Sequence, residues 1–273
     1  MAALRRKSDW RSLSLVSFTF LLILFLLSLP FASLTWWSYP LLFLLLTFFI
    51  VDCTLINHNH RHHQIFNNNK LNEFLNAVIS LCIGAPSTRL HLVHHFNHHL
   101  HYPGHEDWSH YETNARGEGF GRIVSYLVNA TKAMTKNRDQ LVKTNYHRRA
   151  LRNEKIILYA FSAIALLLNW KMFIVMILPA WFLGLSLLLT SNLLNHDHCD
   201  LADEINHSRD FINGIENWFF CNNGYHTAHH LNPHLHWEEL PAFHEKNVRL
   251  RKKPEFTSGS FFIFLVKYSL RLI

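Results

Sequence analysis

With 273 residues the chain can form one large or two small domains, but 49% of its positions are hydrophobic and only 16% charged, which argues against an ordinary soluble domain. The formal charge of +7 reflects 26 Lys and Arg against 19 Asp and Glu, and it leaves out 22 histidines, the largest compositional excess. Cys53, Cys82, Cys199 and Cys221 form neither a C-x-x-C pair nor a disulfide-like framework, which fits a reducing cytosolic face, and no phosphate loop, dinucleotide fingerprint or internal repeat is present.

The first element in the chain is LSLVSFTFLLILFLLSLPFAS, residues 13–33, uncharged and about 31 Å long as a helix, one hydrocarbon thickness. A cleaved signal peptide is the rival reading, since Arg5, Arg6 and Lys7 precede it, but the apolar run is too long for an ordinary signal core and a second run follows at once. LTWWSY supplies interfacial aromatics and a turn, and residues 40–56 run back. Leu71 to Gly84 is half apolar and suits an interfacial or packed helix, and Gly121 to Arg152 reads as a basic surface helix. A second apolar pair occupies residues 154–170 and 172–194, hinged at Lys171; its first limb is so short that it must start earlier, thin the bilayer or stop short of the far face. Residues 259–272 carry Lys267 and Arg271, are too short to cross, and read as an interfacial anchor.

Four of the Lys and Arg precede Leu13, thirteen lie between Asn57 and Lys155 and eight follow Leu194, with Lys171 alone elsewhere. Two hairpins with both termini in the cytosol put all of these but Lys171 on one side, together with every histidine. The expected fold is therefore an all-α integral membrane protein, a single domain of residues 1–273 with about four transmembrane helices in two hairpins. A cytosolic histidine-rich helical cap is formed by residues 57–153 and 195–258.

The histidines fall in three clusters just outside the spans. In HNHRHH, a helix continuing from the second span places His58 and His62 about 40° apart on one face and points His60 away. HLVHHFNHHLHY, His91 to Tyr102, contains two overlapping i, i+3, i+4 triads, His91–His94–His95 and His95–His98–His99, and spacing alone does not choose between them. NNGYHTAHH converges His226, His229 and His230 on one helical face. A scavenging His-rich tract needs no spacing, whereas similar triads recur here about 130 residues apart. Eight or nine imidazoles exceed one tetrahedral zinc and suit two metal ions of higher coordination. Asp52, inside the second span and six residues before His58, is a costly place for a carboxylate and a candidate hydrogen-bond partner for a ligand histidine.

The order H-x3-H, H-x2-HH, H-x2-HH resembles the membrane fatty acid desaturases and their hydroxylase and ketolase relatives, over roughly Asp52 to Leu240. HNHRH with Phe66 beyond it is similar to the first box. Asp107, eight residues after His99, is similar to the aspartate that follows the second box and favours His95, His98 and His99 over His91 and His94. GYHTAHHLNPHLHWEELP looks like the third box, and Asn192-Leu-Leu-Asn-His196 is similar to the N-x3-H that supplies an extra ligand in acyl-CoA desaturases, with His198 as the rival position. The resemblance implies two Fe ions held by His58, His62, His95, His98, His99, His196, His226, His229 and His230, with Asn192, Asp52 and Asp107 supporting them. It also implies O2 as co-substrate, an acyl lipid substrate and a separate electron donor of ferredoxin or cytochrome b5 type, since no fused HPGG signature is present. No nucleic-acid partner is expected. Hydroxylation, carotenoid ketolation and alkene-forming decarboxylation use the same boxes. A metal transporter would place ligands inside the spans, and a bis-His haem would need histidines facing each other within a bundle.

Overall fold

The computed structural model describes residues 3–142 and 144–273. In chain order its main helices are α1 (Asp9–Ser28), α2 (Ser38–His62), α3 (Asn69–Ile83), α4 (Ser87–Val93), α5 (Gly119–Lys136), α6 (Asn145–Met172), α7 (Leu178–His196), α8 (His226–Leu231) and α9 (Phe261–Ser269). Strands β1 (Asp210–Phe211) and β2 (Thr257–Ser258) pair in parallel, a small departure from the all-helical expectation. Two units are distinguished, Met1–His91 with Val142–Leu188 and Leu92–Leu141 with Leu189–Ile273.

The first unit holds the apolar helices. Three helical runs, Asp9–Ser28, Ser38–His62 and Asn145–His196, are long and apolar enough to cross a membrane. Their inward faces share a core of Ile23, Leu26, Leu46, Ile50, Met176 and Trp181. Leu21, Leu44, Leu167 and Phe182 remain exposed. Such a surface is stable against lipid tails and costly against water. The Cys53 thiol lies 3.2 Å from Thr19 Oγ1, so the α1–α2 contact satisfies a polar pair where water is scarce. At 25 residues α2 is about 38 Å long, longer than a hydrocarbon core, which lets its last turns carry HNHRH past the apolar layer.

The helix ends differ from the sequence expectation at several points. The first span begins at Asp9 and stops at Ser28, and α6 starts at Asn145. Starting earlier is thus how the short limb is lengthened. Its extra turns bury Glu154, which accepts the Thr88 amide at 2.8 Å and the Thr88 hydroxyl at 2.6 Å and pairs with Arg61 at 3.4 Å. The break expected at Lys171 lies at Asn169, whose φ of −156° and ψ of 72° are non-helical. Its side-chain amide donates to the carbonyls of Leu27 and Leu29 at 3.2 and 2.7 Å, groups that the end of α1 leaves without partners. Phe161 and Trp181 consequently have ring centroids 6.4 Å apart, where twenty residues of straight helix would separate them by about 30 Å. Gly84 ends α3 in the left-handed region, φ 70°, beside Trp181, which leaves no room for a Cβ.

In the second unit α5 is amphipathic and ends at Lys136, so the basic surface helix expected over 121–152 is two pieces, the later one belonging to α6. Tyr126, Leu193, Leu194, Phe211, Phe261 and Tyr268 form the core of this unit. The C-terminal helix is shorter than expected, Phe261–Ser269, and exposes Ile263 and Val266.

Candidate metal centre

In the first unit His58 and His62 stand one turn apart near the end of α2, ring centroids 4.9 Å apart, because the helix continues to His62. His60 is turned elsewhere: it is buried, and its Nδ1 accepts the Ile65 amide at 3.2 Å. Asp52 is fully buried, and among the described residues neither of its oxygens makes a hydrogen bond. The expected contact to a histidine is absent because six residues of helix turn it about 240° from His58.

In the second unit the chain from His94 to His98 is a π-helical turn. Hydrogen bonds from i to i+5 bring residues five apart onto one face, so His94 meets His99, with ring centroids 4.5 Å apart. His99 Nε2 lies 3.0 Å from His229 Nε2, and one nitrogen from each of His94, His99 and His229 falls within a 4.8 Å group. His95 belongs to neither convergent histidine group among the described residues; its ring lies against Phe96. The H-x4-H spacing of His94 and His99 was visible in the sequence, but only a π turn makes it meaningful.

A second group is formed by His98, His196 and His230. His226 Nε2 stands 3.0 Å from both His196 Nε2 and His230 Nε2. Two nitrogens at right angles around one cation with bonds of about 2.1 Å are roughly 3 Å apart, so these separations suit shared ligation. His98 Nδ1 donates to Asp107 Oδ2 at 2.7 Å, which fixes the tautomer and leaves Nε2 with the lone pair. That Nε2 is buried and has no hydrogen-bond partner among the described residues. An orphaned imidazole nitrogen beside other buried imidazoles is the arrangement a metal ion completes, and the all-nitrogen donor set fits iron. For His230, burial and then the neighbouring histidines hold the pKa well below the ordinary value, so the ring is neutral at pH 7, the form that ligates.

Each histidine has a local reason for its position. Arg209 Nη1 donates to the Leu194 carbonyl at 2.7 Å and the Asp197 carbonyl at 3.3 Å, capping the end of α7 at which His196 sits. Asp210 accepts the Thr227 amide at 2.7 Å and so holds the first turn of α8 through its positive end. Ser109 donates to Asp107 from its amide at 2.9 Å and its hydroxyl at 2.7 Å. Burial alone would raise the Asp107 carboxyl, but the electrostatic interaction with His98 and the hydrogen bonds from His98 and Ser109 outweigh it and hold the group well below the usual carboxylate range. Tyr126 donates to the Ser109 carbonyl at 2.9 Å, and burial keeps its phenol protonated far above the ordinary range. Asn192, expected to serve a metal-bound water or an imidazole, donates instead to Tyr126 Oη at 2.9 Å. A relay thus runs from Asn192 through Tyr126, Ser109 and Asp107 to His98. Tyr126 had no signal in the sequence, since nothing local links it to a position 66 residues away. His196 is buried against Tyr102, centroids 4.2 Å apart, whereas His198 is exposed.

A separate cavity of about 900 Å³ is lined by Arg122, Asp197, Arg209, Lys267 and Arg271. None of the nine expected ligand histidines lines it.

The family described as fatty acid desaturase matches the chain over residues 34–257, a stretch that includes every histidine discussed above. No curated protein and no solved structure matches significantly.

Proposed function

The chain belongs to the membrane fatty acid desaturase family, and on that premise we propose that it is an oxygen-dependent acyl-lipid desaturase with a histidine-held di-iron centre. Family membership makes it an oxidoreductase of the desaturase and hydroxylase type acting on lipid. The observation that carries the finer reading is His98, whose orphaned Nε2 is aimed by Asp107 beside His196 and His230. In this reading His98, His196, His226 and His230 hold one iron. His94, His99 and His229 belong to the second, with His94 in the role that the family resemblance gives to His95, and the same resemblance adds His58 and His62.

Bound iron with O2 and two electrons would supply an oxidant for an unactivated C–H bond. The chain supplies everything else: neutral imidazoles, a carboxylate that fixes one tautomer, and a buried relay that holds the carboxylate. The electron donor is a separate protein of ferredoxin or cytochrome b5 type. The reading further comprises four spans in two hairpins, with the termini and the metal site in the cytosol.

Lipid profiling of a host expressing the protein tests the reaction. New double bonds in acyl lipids are expected in the wild type and not in a His98→Ala variant. Hydroxylated or ketolated products, or terminal alkenes, would replace desaturation by one of its sister reactions, and an unchanged lipid profile with no bound iron would overturn the assignment.

A further inference from the structure

Beyond the second box the chain turns through a loop that contributes three more side chains of metal-ligating type, none of them assigned above to the iron centre. His105, His110 and Glu112 each offer one ligand atom, and these atoms lie within 4.8 Å of one another. The two imidazole rings have centroids 4.8 Å apart. His110 is only 2% exposed, whereas His105 and Glu112 face solvent. An exposed histidine and glutamate would carry no weight alone; the buried partner decides the matter.

His110 Nε2 makes a 2.9 Å hydrogen bond to the Pro103 carbonyl, and a carbonyl oxygen only accepts, so Nε2 carries the proton. Nδ1 is therefore left with the lone pair, and it is buried with no hydrogen-bond partner among the described residues. A ring nitrogen fixed as a bare acceptor by a backbone carbonyl on its other side is the usual preparation of a metal-ligating histidine. His105 is held in a similar way: its Nδ1 lies 3.4 Å from the Thr113 hydroxyl, which leaves Nε2 available.

We propose that His105, His110 and Glu112 form a separate site for a divalent transition cation of the zinc type. Two imidazoles and one carboxylate are a ligand set that zinc takes with a further position open to water, and the same set is poor for magnesium or calcium, which prefer oxygen. The ligands bracket Asp107. The loop is already closed by the Asp107 amide on the Gly104 carbonyl at 3.1 Å and the His110 amide on the Asp107 carbonyl at 3.0 Å. A cation joining His105 to His110 would staple this loop and hold steady the carboxylate that aims His98. The inference stands apart from the iron assignment, because no residue is shared between the sites.

The test uses the full chain purified in detergent with its iron, exposed to zinc and then desalted, with both metals counted by elemental analysis. The wild type should retain one zinc per chain without losing iron. The double variant His105→Ala, Glu112→Gln changes only exposed side chains; it should lose that zinc, with at least tenfold weaker uptake, and keep the wild-type iron content. Failure of the wild type to retain zinc, zinc gained only at the expense of iron, or equal retention by the double variant would each overturn the site. Iron content is read separately, so failure of the di-iron reading is distinguishable from failure of this one.

Discussion

Neighbouring histidines in this chain have different fates. His94 and His95 are adjacent, yet His94 converges with His99 and His229, while His95 lies against Phe96. His94→Ala is expected to lose close to one iron per chain and nearly all turnover, and His95→Ala to retain most of both, as read by iron analysis and product formation. The reverse result would mean that the segment is α-helical rather than π-helical when metal is bound. Asp107→Asn offers a subtler change. An amide preserves shape but can present its NH2 group to His98 Nδ1, so the tautomer is no longer enforced; iron affinity should fall by about 10- to 100-fold, with the fold intact. His196→Ala and His198→Ala form a second contrast. The buried ring of the first sits 3.0 Å from His226, and the second is exposed, so only the first substitution should cost metal and turnover.

Helices here are shaped by where they fail to be regular. The π turn at His94–His98 changes which side chains share a face, and a second π turn at Phe173–Ile177 follows the break at Asn169. Asn169 serves two helices at once: its backbone leaves the helical region, and its amide covers the last carbonyls of α1. Asn169→Leu keeps a similar volume but removes both hydrogen bonds to the α1 end and the one that Asn169 Oδ1 accepts from the Met172 amide at 3.3 Å. It should destabilise the protein by about 1–3 kcal/mol, seen as a lower thermal midpoint in detergent. An unchanged midpoint would mean that the α1 carbonyls find other partners. Iron content should be unaffected, because none of the expected ligands lies near the break in sequence.

Charge and apolar length together predict the orientation of the molecule. Trp36 and Trp37 stand exposed in the turn between α1 and α2, where an interfacial belt belongs, and Lys and Arg concentrate in the segments carrying histidine. The four native cysteines are buried, so an introduced one reports alone. A cysteine placed by Thr35→Cys should react with a membrane-impermeant maleimide on intact cells, and one placed by Thr135→Cys only after the membrane is opened. Labelling of both on intact cells would refute the two-hairpin arrangement.

The apolar runs, the interfacial tryptophans, the positive bias and the three histidine clusters were legible in the amino-acid order, because each depends on composition or on spacing within a few residues. Family membership followed from the same local signals. Helix ends were less legible. The first limb of the second pair starts at Asn145, ahead of the expected residue 154, and Glu154 within it finds Thr88 and Arg61, partners far away in sequence. The break lies at Asn169 rather than Lys171 because the carbonyls that reward it belong to α1, some 140 residues earlier. Tertiary structure alone brought His94 rather than His95 beside His99 and His229, gave Asn192 to Tyr126, and among the described residues left Asp52 without a histidine. Spacing specifies a face only after the helix type is known, and the partner of a buried polar group is chosen by whatever the rest of the chain brings within reach.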